Sequence, residues 1–489
     1  MTRVRAGARG DVAKASACEN SEGDVRVVLA DLKSADGFVS KDTVAGGYGS
    51  RLRPVSKVAA VMCSFKRRLH DPPSVQMGYL AAIATNRGHD VHFTSGQFVD
   101  GDVALVLSSL VDYRNETAWA DAMRARGVRV GFIGLAASKM PDLFRDHADF
   151  LINGEPEEAT MRLLDGERLE GIAESAQLDD LDVLPFPRWD LVREMKGRMN
   201  TGAMTVRPIG GALPVLASRG CPEFCTYCPH RILAGHRMRS VSNIADELEE
   251  LCARYPQPYI VFRDPLFSED RDRCLALCDE IAARGLKLRF ECETRLDRLD
   301  PTLLYTMQRV GLRAMSFGVE SVSPDTLKKA GRRPIPQAHQ REIMSLCREL
   351  GITTAGFYVL GFLQDTWESI ATTIDYAIQM GSTFAQFKIL TPYPATPLWK
   401  QMAHLVYEKD WQKFDGFTPT FTHPNLTPDQ LSFLMRAAMS RFYVRPSFVT
   451  NYLGIDSALV SRVFGHLDRR VFATQSRREI EATSRAVSC

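Results

Sequence analysis

The stretch that most constrains this chain is Arg219-Gly220-Cys221-Pro222-Glu223-Phe224-Cys225-Thr226-Tyr227-Cys228-Pro229-His230, near the middle of 489 residues. It follows Ala212-Leu213-Pro214-Val215-Leu216-Ala217-Ser218, an apolar run that predicts a strand ending in Arg-Gly. Three cysteines spaced by four and then three residues share one tight loop. Three thiolates so placed can hold three irons of a cubic iron–sulfur cluster and leave the fourth iron open. A zinc site of Cys221, Cys225, Cys228 and His230 is an alternative, although zinc ligands usually come from two separate knuckles and no second Cys-x-x-Cys follows. A third reading is metal-free buried thiols, which runs against the exposure expected of a loop punctuated by Pro and Gly.

The Cys-x-x-x-Cys-x-aromatic-Cys pattern, with Tyr227 as the aromatic, resembles the signature of the radical S-adenosylmethionine (SAM) superfamily. The resemblance implies a [4Fe–4S] cluster on Cys221, Cys225 and Cys228, with SAM chelating the open iron. An electron from the cluster then splits SAM to a 5′-deoxyadenosyl radical, which takes a hydrogen from the substrate.

Composition is that of a globular protein of two or three domains, 45% hydrophobic and 25% charged. Sixty-one Lys and Arg against 59 Asp and Glu leave a formal charge of +2. No global field therefore recruits nucleic acid or an anionic membrane. There is no apolar run long enough for a spanning helix and no secretory signal core, so a cytoplasmic protein is expected. The eleven cysteines read as reduced thiols and cluster ligands rather than a disulfide framework.

Residues 1–24 read as a frayed tail. From 25 to 164, short β-rich runs alternate with helical stretches, predicting a doubly wound, flavodoxin-like parallel sheet. Strands are expected at Val25–Leu32, Val58–Cys63, Asp90–Thr94, Asp102–Ser108, Val128–Gly134 and Asp149–Ile152, and helices near Ser74–Arg87, Thr117–Arg126 and Pro141–His147. Ligands bind beyond the carboxyl ends of such strands, where Ser108, Ser109, Gly134, Gly154 and Glu155 lie. With Gly78-Tyr79-Leu80-Ala81-Ala82, Arg87-Gly88-His89-Asp90-Val91 and the junction Leu184-Pro185-Phe186-Pro187-Arg188-Trp189-Asp190, this region resembles the cobalamin-binding domain fused ahead of many radical SAM enzymes. The chain lacks Asp-x-His-x-x-Gly, which suggests a cobalt without a histidine lower ligand and leaves open a domain that no longer binds cobalamin. His70, His89 and His92 read as surface or packing residues. Gly46-Gly47-Tyr48-Gly49 reads as a loop near the cobalamin side.

Residues 165–204 read as a linker, and βα alternation resumes over 205–396. Ser242 is a plausible cap for the helix that carries Ile244, Leu248 and Leu251. Strands at Tyr259–Phe262, Lys287–Glu293, Ala314–Val319, Thr353–Leu360 and Ala385–Leu390, together with the first, fit the partial (β/α)6 barrel of radical SAM domains. Chemistry in parallel barrels sits at carboxyl strand ends, here Asp264, Glu291, Glu293, Gly318, Glu320 and Ser321. The resemblance implies that Glu320 contacts SAM; the bland alternative is an ion pair with Arg313. No catalytic side chain is singled out. Cys274 and Cys278 read as one packed helix face. Residues 397–466 read as helical and 467–489 as a polar tail.

The reading that follows is a cobalamin-dependent radical SAM enzyme methylating an unactivated carbon of a small metabolite, supplied with electrons by a flavodoxin or ferredoxin. Cobalamin-linked rearrangement or cyclisation without methyl transfer, and a non-catalytic cobalamin-binding or redox-sensing module, are the alternatives. Because methyl transfer needs both cofactors at one cavity, the two domains should meet strand end to strand end. Gly154-Glu155 and Ser108 would then oppose the Cys221 loop and Glu320, with Pro185–Asp190 setting the distance.

Overall fold

A computed structural model describes residues 24–41, 47–53, 74–192, 212–232 and 234–445. The expected strand Val58–Cys63, His70, Gly46 and the two tails lie outside the described residues. So do the end of the linker and the stretch beyond 445.

The first sheet contains β1 (Arg26–Ala30), β2 (Asp90–Thr94), β3 (Val103–Leu107), β4 (Arg129–Ile133), β5 (Phe150–Asn153) and β6 (Gly171–Glu174). All pair in parallel in the order β2-β1-β3-β4-β5-β6. The first five strands thus follow the flavodoxin-like order. β3 is buried throughout, and its side chains alternate between two cores: Val103, Leu105 and Leu107 on one face, Ala104 and Val106 on the other. Helices α1 (Val75–Asn86), α2 (Tyr113–Arg124), α3 (Leu135–Lys139) and α4 (Pro156–Leu164) connect the strands.

Three expectations shift here. The helix expected at Pro141–His147 resolves into two 3-10 turns behind α3, and α2 begins at Tyr113 rather than Thr117. The stretch expected to be only linker contributes β6, a mostly exposed edge strand paired with β5 through Leu151 and Ile172.

The second sheet runs β7 (Ala212–Val215), β8 (Tyr259–Phe262), β9 (Arg289–Thr294), β10 (Leu312–Glu320), β11 (Thr353–Leu360) and β12 (Phe384–Ile389), each paired in parallel with the next. β12 does not return to β7, so the barrel is open. Helices α5 (Val241–Arg254), α6 (Arg271–Ala283), α7 (Pro301–Arg309), α8 (Gln337–Glu349) and α9 (Trp367–Met380) form the crossovers. Their starts are written in capping side chains: Asp270, Asp300 and Thr366 each accept from a backbone N–H three residues on. The cap of α5 is Ser240, accepting from Asn243 N at 3.1 Å, and not Ser242. Helix α10 (Pro428–Tyr443) covers the edge of β12, with the Tyr443 hydroxyl donating to Ala385 O at 2.6 Å. An edge so covered does not template further pairing.

One hydrophobic core runs from β1 and α1 through Leu181, Leu184 and Trp189 into the second sheet. Gly78 explains how the junction docks: a Cβ there would lie 2.7 Å from Pro187 and 2.8 Å from the Trp189 ring. The missing side chain lets a fully buried tryptophan lie against α1, and Arg188 N donates to Gly78 O at 3.1 Å. Cys274 and Cys278 are both buried on α6, as a packed face requires.

Candidate functional site

The cysteine loop leaves β7 through a two-residue antiparallel ribbon, Ser218–Arg219 against Arg237–Met238. Gly220 turns the chain at φ +71°, where a Cβ would stand 2.7 Å from Gly235 O. Asp264 at the end of β8 supports this exit, accepting from Ala217 N at 3.0 Å and from the Ser218 hydroxyl at 2.5 Å. Farther along, Thr226 N donates to Ala330 O at 2.9 Å and Leu398 N to Thr226 O at 3.0 Å. Glu223 pairs with Arg298 at 3.0 Å. The loop is thereby fixed from β7, β8, the segment after β10 and the C-terminal region.

Cys225 is buried, and Cys221 and Cys228 are half-buried. Burial pushes the Cys221 thiol up to about 11 and the Cys228 thiol up to about 12. Such thiols stay protonated at neutral pH until a metal displaces the proton. Among the described residues, no three His, Cys, Asp or Glu side chains are gathered around a point suited to one metal ion. A cubic cluster does not need that, because each thiolate binds a different iron. The donor set of three soft ligands on one pinned loop therefore fits a cluster better than a zinc ion. Burial also lowers His230 to about 4, keeping the imidazole neutral.

Behind the loop lies a cavity of about 280 Å³ built from both domains. Tyr227, Cys228 and His230 form one wall, and Glu320, Phe357, Gln386 and Lys388 another. Gly47, Tyr48, Gly49, Ser50 and Leu135 close it from the first domain. Strand alternation supplies the second wall: Ala385, Phe387 and Ile389 of β12 are buried in the core, while Gln386 and Lys388 between them are not. Tyr48 spans the seam. It stacks on Tyr393 with centroids 5.5 Å apart, and its hydroxyl donates to Pro394 O at 2.8 Å.

Glu320 ends β10 with φ +64°, a left-handed conformation rare for a side-chain-bearing residue and common at functional sites. The strand register slips between Gly318 and Glu320, which turns this carboxylate into the cavity. Burial raises its pKa, while Arg332 at 3.7 Å and a hydrogen bond from Tyr227 pull it back. The competing partner expected for Glu320, Arg313, instead donates to Gln308 O and Leu312 O. A Cβ on Gly318 would overlap the Glu320 carboxylate and stand 2.8 Å from Arg332, so this glycine makes room for that pair.

The other expected positions scatter. Glu291 is buried and accepts from the Tyr259 hydroxyl at 2.8 Å, while Glu293 faces Arg263 at 3.5 Å. Ser321 accepts from Ser323 N at 3.2 Å, ahead of the following helix. In the first domain, the Ser108 hydroxyl donates to Ile133 O at 2.7 Å and accepts from Ala137 N at 2.9 Å. The Ser109 hydroxyl donates to the buried Glu116 at 2.6 Å. Gly134, at φ +96°, starts α3 and so places Leu135 at the cavity; Gly154 N donates to Ser138 at 3.1 Å. Neither Ser108 nor Gly154-Glu155 reaches the cavity wall; the Gly47–Ser50 loop does so instead.

Glu155 and Glu157 nonetheless meet the cysteine loop, at its base. Arg237 donates to both Glu155 oxygens at 2.6 and 2.7 Å, Arg219 lies 3.3 Å from Glu155, and Arg219 donates to Glu157 at 2.7 Å. All four side chains are buried or nearly so, forming an interdomain ion network. Arg219, Arg237 and Arg332 were not marked by sequence, since an arginine's partner has no motif.

An open parallel sheet with three cysteines behind its first strand, preceded by a flavodoxin-like sheet, carries a radical SAM domain. Residues 215–377 match the radical SAM superfamily, whose members use a [4Fe–4S] cluster and SAM. An uncharacterized methyltransferase of Pyrococcus horikoshii is 29% identical over 273 residues, 55% of this chain and 58% of the relative. The anaerobic magnesium-protoporphyrin IX monomethyl ester cyclase of Cereibacter sphaeroides is 26% identical over 292 residues, 58% of this chain and 46% of the relative. The chain thus spans about half the length of these two relatives. In fold it is similar to the radical SAM methyltransferase TsrM of Kitasatospora setae, solved with cobalamin and a [4Fe–4S] cluster bound. That similarity has a TM-score of 0.60 at 14% identity, covering 92% of this chain and 100% of the other.

Proposed function

We propose that this chain is a cobalamin-dependent radical SAM methyltransferase acting on an unactivated carbon of a small metabolite in the cytoplasm, with a flavodoxin or ferredoxin as electron donor. The observation that carries this reading is the single cavity walled by the cysteine loop and Glu320 on one side and by the Gly47–Ser50 loop and Leu135 on the other. When bound, the cluster and SAM supply a hydrogen-abstracting radical and cobalamin supplies the methyl group; the protein's part is to hold them and the substrate in register. Cys221, Cys225 and Cys228 would hold the cluster, and the Glu320 carboxyl, beside Arg332, would accept a hydrogen bond from SAM. Tyr227 would keep that carboxylate oriented. The first-domain wall of the cavity contains no histidine among the described residues.

The deciding experiment is anaerobic turnover with methyl-deuterated SAM and candidate metabolites. Labelled product together with 5′-deoxyadenosine supports methyl transfer. Unlabelled, rearranged or cyclised product would support the second reading, which similarity to the cyclase favours. Glu320→Ala should weaken SAM binding and reduce 5′-deoxyadenosine while corrinoid stays bound.

A further inference from the structure

Arg332 stands 107 residues beyond Cys225 in the chain, yet its Nη1 lies 3.7 Å from the Cys225 sulfur. Its Nη2 donates to Gly318 O at 2.6 Å and lies 3.7 Å from Glu320 Oε1. Only 9% of the side chain is exposed. The backbone delivers it there: Arg332 N donates to Leu327 O at 2.8 Å and Ala330 O accepts from Thr226 N at 2.9 Å. Gly331, at φ +69°, passes so close beneath Phe224 that a Cβ would overlap its carbonyl oxygen. The neighbouring Arg333 behaves differently, exposed and paired with Asp297 at 2.8 Å.

A buried cation is costly unless its partners compensate it. Glu320 offers partial compensation at 3.7 Å, and the guanidinium's other nitrogen is aimed at the buried sulfur of Cys225. Bound to iron, Cys225 would be a thiolate ligand and a second anionic partner for this guanidinium. We propose that Arg332 is a positioning residue that raises the reduction potential of the cluster held by Cys225 while orienting Glu320; this rests on the cluster assignment above. One-electron reduction adds one negative charge to the cluster. A fixed cation beside one of its thiolates, in a site shielded from water, stabilises the reduced form.

The test is an anaerobic redox titration of the reconstituted full-length protein, followed by electron paramagnetic resonance without SAM, for wild type, Arg332→Gln and Arg332→Lys. The Gln variant should keep four irons and titrate at a potential lower by about 59 mV, a tenfold change in the one-electron equilibrium. The Lys variant, which keeps the charge but cannot reach the sulfur and Gly318 O together, should fall between. The Gln shift should persist in a Glu320→Gln background. An unchanged midpoint at full iron content overturns the proposal. So does a shift that vanishes with Glu320→Gln, which would reduce Arg332 to a counter-ion. If the Gln variant fails to take up iron, the Lys variant decides: an intermediate midpoint supports the proposal and a wild-type midpoint overturns it. Potential shifts without methylated product would leave this inference standing while the methyltransferase reading fell; methylation with unshifted potentials would do the reverse.

Discussion

Replacing Glu155 by Ala separates two roles that its position at a strand end had merged. The structure puts this carboxylate between Arg237, at 2.6 and 2.7 Å, and Arg219, at 3.3 Å, with its side chain 4% exposed. Truncation would leave Arg237 buried with the Leu178 carbonyl as its remaining interdomain acceptor, and Arg219 with Glu157. Removing one partner of a buried pair costs about 3–5 kcal/mol, because the remaining charge loses compensation without regaining water. With a urea m-value of about 3 kcal/mol per molar, the lower figure moves the unfolding midpoint by about 1 M. Glu155→Gln keeps the volume and one acceptor, so its cost should be about 1–3 kcal/mol. The assay is anaerobic urea unfolding followed by tryptophan fluorescence, since Trp189 is buried in the core that joins the domains. Corrinoid binding at saturating ligand is measured in parallel. A large midpoint shift with corrinoid still bound is expected. An unchanged midpoint with corrinoid binding lost would refute the network and restore Glu155 as a cofactor contact.

Substituting Cys221, Cys225 and Cys228 together by Ala should abolish the four-iron absorbance and iron content after reconstitution, whereas Cys274→Ala with Cys278→Ala should leave both intact. Cob(II)alamin bound to the protein should lack nitrogen superhyperfine splitting from a protein imidazole; a splitting lost on mutating His70, His89 or His92 would contradict that. Burial raises Asp365 to about 6 although it accepts from Gly361 N and Phe362 N. A carboxyl whose folded pKa is raised contributes stability below its unfolded value that is lost as pH rises through the folded one. The stability of wild type relative to Asp365→Asn should therefore fall from about pH 4 to about pH 6 and level off above, as urea midpoints across that range would show.

What was legible in the sequence was what local pattern carries. Val103–Leu107 is buried along its whole length and bounded by polar residues, so it reads as a strand without tertiary help. The cysteine spacing is covalent and survives any fold. Gly171–Glu174 escaped because it is an edge strand with exposed Gly, Ile and Glu; its partner β5, not its own side chains, makes it a strand. Pro141–His147 looked helical but is broken into 3-10 turns, with Phe144 the residue turned into the core between them. Ser108 and Glu155 show a subtler limit. A polar residue at a strand end can face a ligand or its own neighbours, and only Ile133 O and Arg237, both distant in sequence, reveal which.

The same distant partners explain how the cavity keeps its width. On one side the Glu155 and Glu157 carboxylates clamp the base of the cysteine loop through Arg219 and Arg237. On the other, Tyr48 stacks on Tyr393, Arg53 reaches Asp415 at 3.3 Å and Arg114 reaches Asp410 at 3.2 Å. Trp189, fully buried against α1, ties the connecting segment between them. A hinge needs one side free to open, and here both sides of the seam are fastened. For chemistry that passes an atom between groups held by different domains, a misplacement of 1 Å can cost about a hundredfold in rate. The seam carries buried charge pairs at one edge and aromatic stacking at the other, and both join residues of the two domains.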